Sequence, residues 1–158
     1  MRIEEIIGFV QALGGVLTLQ PQPGDGSPEA SWGDSFFYYA PDGVVPRTQP
    51  FATIVTGDQP GDRGSRLDRP GAFRLNIAAG TAEFTRITGS APREPAAQAV
   101  DPSAADVLFP HPVYGELGWL AVVDPGPRTD PTVRELLRAA HESARGRHER
   151  RAGACGAG

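Results

Sequence analysis

The segment Phe73-Arg74-Leu75-Asn76-Ile77 alternates strictly between apolar and polar residues. A period of two predicts a β-strand whose apolar side chains share one face, while Arg74 and Asn76 share the other. Strands that alternate in this way are commonest in antiparallel sheets, which pack one face on a core and leave the other wet. Two interpretations stay open for Arg74 and Asn76: a solvated sheet face, or the lining of a polar pocket.

Further strands and helices are predicted on both sides of this segment. Short apolar or aromatic runs predict four more strands, at Val16–Leu19, Trp32–Tyr39, Phe51–Thr56 and Leu117–Val123. Helical spacing and capping residues predict helices at residues 3–13, at Thr81–Thr88, in one or two turns at Ser103–Leu108, and from Thr129 or Asp130 to Ala144. Turns rather than helical crossovers join successive strands. The sequence therefore predicts an α+β fold, with a mostly antiparallel sheet of about five strands packed against two or three helices.

The chain length indicates one domain, because 158 residues is close to the commonest domain size. We place this domain at residues 1–145 and expect residues 146–158 to form a flexible C-terminal tail. Residues 57–71, between two predicted strands, are rich in Gly, Asp, Arg and Pro, and Leu67 is their one large apolar residue. A loop this long in a compact domain is usually functional or disordered.

The basic residues exclude two classes of enzyme. All 15 Lys and Arg residues of the chain are arginine. Schiff-base enzymes and P-loop nucleotide hydrolases both need a lysine, and so neither class fits. A net charge of −4 argues against nucleic acid as a partner, because such binding depends on a basic surface. We interpret the arginines clustered between Arg138 and Arg151 as a solvated helix end.

Cysteine content and hydropathy bear on the compartment. The single cysteine, Cys155, excludes an internal disulfide and metal sites built on cysteine pairs. No apolar run approaches the length of about 20 residues that a membrane helix needs, and the amphipathic Met1–Leu13 does not resemble a signal peptide. We therefore expect no membrane association and a cytoplasmic location. Antiparallel edge strands can pair between two copies, which leaves a homodimer open.

Four strings of the sequence carry a family resemblance. They are Trp32–Tyr39, Pro50–Thr56, Leu67–Ile77, and His111–Tyr114 followed by Gly118-Trp119. Together they resemble a bacterial family known as domain of unknown function 6194, over roughly residues 1–145. The element order is also similar to the MmcQ/YjbR-like fold. The first resemblance implies a fold and no particular function, and the second would suit a protein- or DNA-interaction module.

His111 and Asp68 are the candidate catalytic residues. Histidine titrates near neutral pH, and His111 precedes a predicted strand, where side chains often face a cleft, so it could act as acid or base. Arg69 could hold a carboxylate or phosphate by two parallel hydrogen bonds, with Asp68 orienting it or acting as base. The alternatives are a histidine that fixes a turn and a surface ion pair that stiffens the loop.

Candidate ligand-binding residues extend this set along the strands. Arg74 and Asn76 would hold polar groups of a ligand. Tyr38, Tyr114 and Trp119 would form apolar walls, as aromatic side chains do in small-molecule sites generally. The chain has no motif for a dinucleotide, for a nucleophilic serine or for zinc, so we expect no cofactor and no metal.

Two functions from different classes stay open. The first is a cofactor-free small-molecule enzyme or binder, of the isomerase or cyclase kind used in secondary metabolism, with its site between the sheet and residues 57–71. The second is a non-catalytic module that binds protein or, against the charge balance, DNA. The sequence does not decide whether the protein is an enzyme.

Overall fold

A six-stranded sheet is the centre of the computed structural model, which describes residues 1–156. The strands are β1 (Val16–Leu19), β2 (Ser35–Tyr39), β3 (Ala52–Val55), β4 (Arg74–Ala78), β5 (Leu108–Pro110) and β6 (Trp119–Val123). The helices are α1 (Ile3–Ala12), α2 (Thr81–Thr88) and α3 (Asp130–Gly156). Each strand is antiparallel to its neighbours, in the order β1-β2-β3-β4-β6-β5. The predicted α+β fold is confirmed.

The two faces of β4 meet different surroundings. Leu75 and Ile77 are fully buried in an apolar core that all three helices complete. Each helix contributes one apolar face to this core: Ile6 and Val10 from α1, Phe84 from α2, and Val133, Leu136, Leu137 and Ala140 from α3. On the opposite face, Arg74 and Asn76 are each only 2% exposed. The solvated-face interpretation is therefore wrong, and a second covered surface lies behind the sheet.

Asp106 holds the N-terminus of α3 from a distant part of the chain. Its carboxylate accepts hydrogen bonds from the backbone amides of Gly126, Arg128 and Thr129, at 2.8–3.0 Å. The Thr129 hydroxyl donates a fourth hydrogen bond at 2.6 Å. Amides at a helix N-terminus have no partner within the helix, so a carboxylate placed there stabilises it.

The segment Ser103–Leu108 is not helical, contrary to our prediction. Asp106 takes a left-handed backbone conformation, with φ of 58°, and Ala105 forms a bridge to Val123 of β6. The chain then enters β5, a strand of three residues ending at Pro110, which is too short for an alternating pattern to reveal. The contact with α3 therefore outweighs the weak helical tendency of this segment.

The final helix is longer than the sequence predicts. We expected residues 146–158 to form a tail, but α3 continues to Gly156. Arg145 pairs with Glu149 at 2.9 Å, and His148 packs edge-on against Tyr39 with ring centroids 5.3 Å apart. These contacts extend the helix past residue 145, and the last two residues of the predicted tail lie outside the described part of the chain. Across residues 1–156, no helix has both the length and the apolar character needed to cross a membrane.

Candidate functional site

A cavity of about 420 Å³ lies on the face of the sheet that the helices leave free. Phe36 of β2 pairs with Thr53 of β3, which in turn pairs with Asn76 of β4, and all three line the cavity. Side chains that pair across antiparallel strands share one face of a sheet, so strand register alone brings this row together. The walls come from residues 57–62 of the long loop and residues 111–114 of the segment between β5 and β6.

Arg74 is the centre of a hydrogen-bonded cluster at the bottom of the cavity. Its guanidinium forms a bidentate ion pair with Asp62 of the loop, at 2.9 and 2.6 Å. Nη1 also donates to the Ser65 hydroxyl at 3.0 Å, and Nε donates to the amide oxygen of Asn76 at 2.8 Å. Asn76 donates in turn to the Thr53 hydroxyl at 3.0 Å. One buried cation therefore holds the loop against the sheet.

His111 faces Arg74, with its Nε2 at 3.3 Å from Nη2 of the arginine. The other ring nitrogen, Nδ1, accepts hydrogen bonds from the backbone amides of Val113 and Tyr114, each at 3.0 Å. The ring centroid lies 5.0 Å from that of Tyr114 and 6.3 Å from that of Trp119. His111 is 6% exposed, and the hydrogen bonds to Nδ1 together with the contacts to Tyr114 and Trp119 fix the orientation of its ring.

The charge states of this cluster follow from burial and proximity. Burial disfavours the imidazolium form of His111, Arg74 adds repulsion, and together they outweigh the attraction of Asp62 and lower the histidine pKa to about 4. The hydrogen bond from Arg74 lowers the pKa of Asp62, although burial opposes this shift. At neutral pH the cluster therefore contains one cation, one anion and a neutral imidazole. Burial raises the pKa of Tyr38 in the cavity wall, so its phenol stays protonated as well.

The cavity brings together most of the site residues that we predicted from the sequence. Six of them line it: Tyr38, Arg74, Asn76, His111, Tyr114 and Trp119. They come from β2, β4, β6 and the segment before β6, and are brought together only by the fold.

Asp68 and Arg69 do not line the cavity, contrary to our prediction. Asp68 accepts a hydrogen bond from the backbone amide of Asp58 at 3.1 Å. Arg69 donates to the backbone carbonyl oxygens of Arg66 and Ser103, at 2.8 and 3.2 Å. A loop without regular secondary structure needs such partners for its backbone groups, and both side chains are used in this way. Within the loop, Asp62 takes the place beside the cavity that we expected for Asp68.

Three members of the cluster escaped the sequence analysis: Thr53, Asp62 and Ser65. Thr53 could have been found, because the predicted strand Phe51–Thr56 places it in a row with Asn76 once the two strands are paired. Asp62 and Ser65 could not have been found. The loop holds three aspartates in similar polar contexts, and no local pattern marks the one that pairs with Arg74.

Comparison with known proteins assigns the chain to a family. Neither the curated proteins nor the solved structures gave a match, and so the resemblance to the MmcQ/YjbR-like fold has no support. In the described part of the chain, no group of three or more His, Cys, Asp or Glu side chains is placed to hold a metal ion. A profile described as "Family of unknown function (DUF6194)" matches residues 1–153, a range that includes the whole cavity. The chain therefore belongs to the DUF6194 family, as its four sequence strings indicated.

Proposed function

We propose that this protein binds a small organic molecule in the cavity beside β4. The observation that carries the proposal is the buried polar cluster of Arg74, Asp62, Asn76 and His111 beneath aromatic walls. Small-molecule sites typically have volumes of about 300–1,000 Å³, mostly apolar linings and a few convergent polar groups. The cavity, at about 420 Å³, fits this description.

A contribution to folding stability does not explain why a buried polar cluster is present at this position. A buried ion pair is often no more stabilising than apolar residues of similar volume, because removing two charges from water is costly. The side chains of Arg74 and Asp62 are only 3% and 11% exposed, so most of that cost is incurred here. A cluster of this kind beside an open cavity supports a role in binding.

The walls of the cavity favour a flat, apolar body for the ligand. Phe36 and Tyr38 line one side, and Tyr114 and Trp119 line the side that includes His111. Aromatic side chains bind planar groups by offset stacking or by edge-to-face contact. The catalytic form of the proposal is a cofactor-free isomerase or cyclase, in which Arg74 and His111 would contact the reacting atoms.

Ligand-detected NMR with a library of small aromatic and alicyclic fragments tests the binding proposal. Val55 lines the cavity, forms no side-chain hydrogen bond and pairs with Arg74 across β3 and β4, so the added bulk of Val55→Trp should fill the cavity directly beside the polar cluster. Val44→Trp is the matched control, because Val44 is 65% exposed and lies outside the cavity. We expect fragments that bind the wild type and Val44→Trp but not Val55→Trp. Absence of any bound fragment, or binding that persists in a folded Val55→Trp variant, would overturn the proposal.

A further inference from the structure

The hydrogen bonds of His111 determine which of its nitrogens carries the proton. Nδ1 lies 3.0 Å from two backbone N–H groups, those of Val113 and Tyr114. A protonated Nδ1 would place its own N–H against both donors, so Nδ1 must present its lone pair. In a neutral ring the proton is then on Nε2, which points at Arg74.

The donors of Arg74 can be counted in the same way. A guanidinium has five N–H groups and no acceptor. Four of them are used, by Asn76, by Ser65 and by the two oxygens of Asp62. The fifth, on Nη2, faces Nε2 of His111 at 3.3 Å. Because Nε2 carries a proton in this tautomer, that contact joins two donors and is not a hydrogen bond.

Two N–H groups therefore face each other beside the cavity, with their nitrogens 3.3 Å apart and no acceptor for either among the described residues. His111 and Arg74 are 6% and 2% exposed, and buried donors without an acceptor are costly. One oxygen atom placed in the cavity beside both nitrogens would satisfy them together. Because Asp62 already neutralises Arg74, that oxygen need not be charged, and a second carboxylate would lie close to the first.

We infer that the ligand of this cavity presents an uncharged carbonyl oxygen, as in a ketone, lactone or amide, to Nε2–H of His111 and Nη2–H of Arg74. This inference rests on the proposed function, since it specifies the ligand of the same cavity. Both donors would polarise the carbonyl bond and favour negative charge on its oxygen, which is how neutral imidazole and guanidinium groups assist reactions beside a carbonyl. His111 acts in this arrangement as a hydrogen-bond donor and not as a base.

Nitrogen NMR of the ligand-free protein tests the first step. Long-range ¹H–¹⁵N correlation spectra distinguish the two neutral tautomers and the imidazolium form. The chain has three histidines, and the signals lost in His111→Asn assign those of His111. Asparagine is a suitable replacement, because its Oδ1 can accept from the amides two and three residues ahead while the Nε2–H donor is removed. We expect the Nε2–H tautomer at neutral pH, and the Nδ1–H tautomer or an imidazolium would overturn the inference whatever the cavity binds.

Three probes of nearly equal size test the second step: acetophenone, benzoate and 1-phenylethylamine. We expect acetophenone to bind the wild type about tenfold more tightly than either charged probe, since only it offers one uncharged acceptor to both donors. With ¹³C-labelled acetophenone, the carbonyl stretch should move to lower frequency on binding. Both effects should be lost in His111→Asn.

The outcomes separate this inference from the proposed function. Tighter binding of benzoate or 1-phenylethylamine, or a carbonyl stretch that does not move, overturns the inference and leaves a small-molecule site. The same holds if fragments of other classes occupy the cavity while acetophenone does not. Failure of every fragment to bind removes the proposed function, and the inference with it.

Discussion

Removal of the Asp62 carboxylate would leave Arg74 as a buried cation without its counter-ion. The two side chains are 11% and 3% exposed and meet at 2.6 and 2.9 Å. Breaking a buried ion pair from one side usually costs about 3–5 kcal/mol. Ser65 and Asn76 still accept from the guanidinium, and the cavity admits water, so the lower end of that range applies. We expect Asp62→Ala to lower the free energy of unfolding by about 3 kcal/mol.

Urea-induced unfolding followed by circular dichroism measures this loss, provided that the dependence of the free energy on urea is unchanged. Glu149→Ala is the control, because it removes the carboxylate from an exposed pair with Arg145 and should change the free energy of unfolding far less than Asp62→Ala does. The double variant Asp62→Ala/Arg74→Met should recover part of the loss, since it leaves no charge uncompensated although Ser65 and Asn76 lose their donor.

The double variant distinguishes the cost of an uncompensated charge from the cost of lost packing. Asp62→Ala alone also deletes side-chain atoms, and some loss of packing follows from that. If the double variant is no more stable than Asp62→Ala, the cost comes from lost packing and not from the buried cation. A loss below about 1 kcal/mol in Asp62→Ala would contradict the argument directly, because exposed pairs already contribute that much.

Two further predictions concern pH. Burial opposes ionisation of Asp106, but hydrogen bonds from Thr129 and from three backbone amides outweigh it and lower the pKa of this carboxyl group to about 2. The ionised carboxylate therefore stabilises the fold above about pH 4, and this contribution is lost as the pH falls towards 2. Screening by solvent reduces the contribution of Asp106 to about 1–2 kcal/mol. Urea unfolding between pH 7 and pH 2 should show that Asp106→Asn is less stable than the wild type at pH 7 and approaches the wild type in acid. Burial and Arg74 lower the pKa of His111 to about 4, so the folded protein holds this histidine neutral, whereas the unfolded chain protonates it below about pH 6.5. The free energy of unfolding is therefore highest above about pH 6.5 and falls by up to about 3 kcal/mol as the pH drops to 4. His111→Asn should lack this fall in thermal unfolding scans over the same range, and an identical pH profile in variant and wild type would contradict the assignment of a buried neutral imidazole.

The sequence predicts the strands better than it predicts what covers them. Alternation in residues 73–77 identifies β4 and separates Leu75 from Arg74 because side-chain direction in a strand is a local property. Whether the Arg74 face is wet depends on the loop folding back over it, and that contact spans 12 residues between Asp62 and Arg74. No pattern within the loop reports it.

The positions of Asp68 and Arg69 and the length of the final helix differ from expectation for one reason. Residue type alone assigns charged side chains to a ligand or to solvent, whereas the fold uses these side chains for its own backbone or for each other. Arg69 reaches a carbonyl oxygen 34 residues away, and Arg145 pairs along α3 beyond the predicted domain boundary. The sequence marks His111 as a candidate because histidine titrates near neutral pH and this one precedes a strand, but the two backbone amides beside its Nδ1 are placed there only by the folded turn.

The position of β4 between two covered surfaces has a consequence for how this protein can change. A shift of one residue in its pairing would turn Arg74 and Asn76 into the apolar core and Leu75 and Ile77 into the cavity. Either exchange alone would be strongly destabilising, so insertions and deletions within β4 should not be tolerated. The exposed loop at residues 93–99, by contrast, can vary in length. Substitutions have separable effects, because successive residues from 73 to 77 face the core and the cavity in turn. The polar lining of the cavity can therefore be changed without repacking the core.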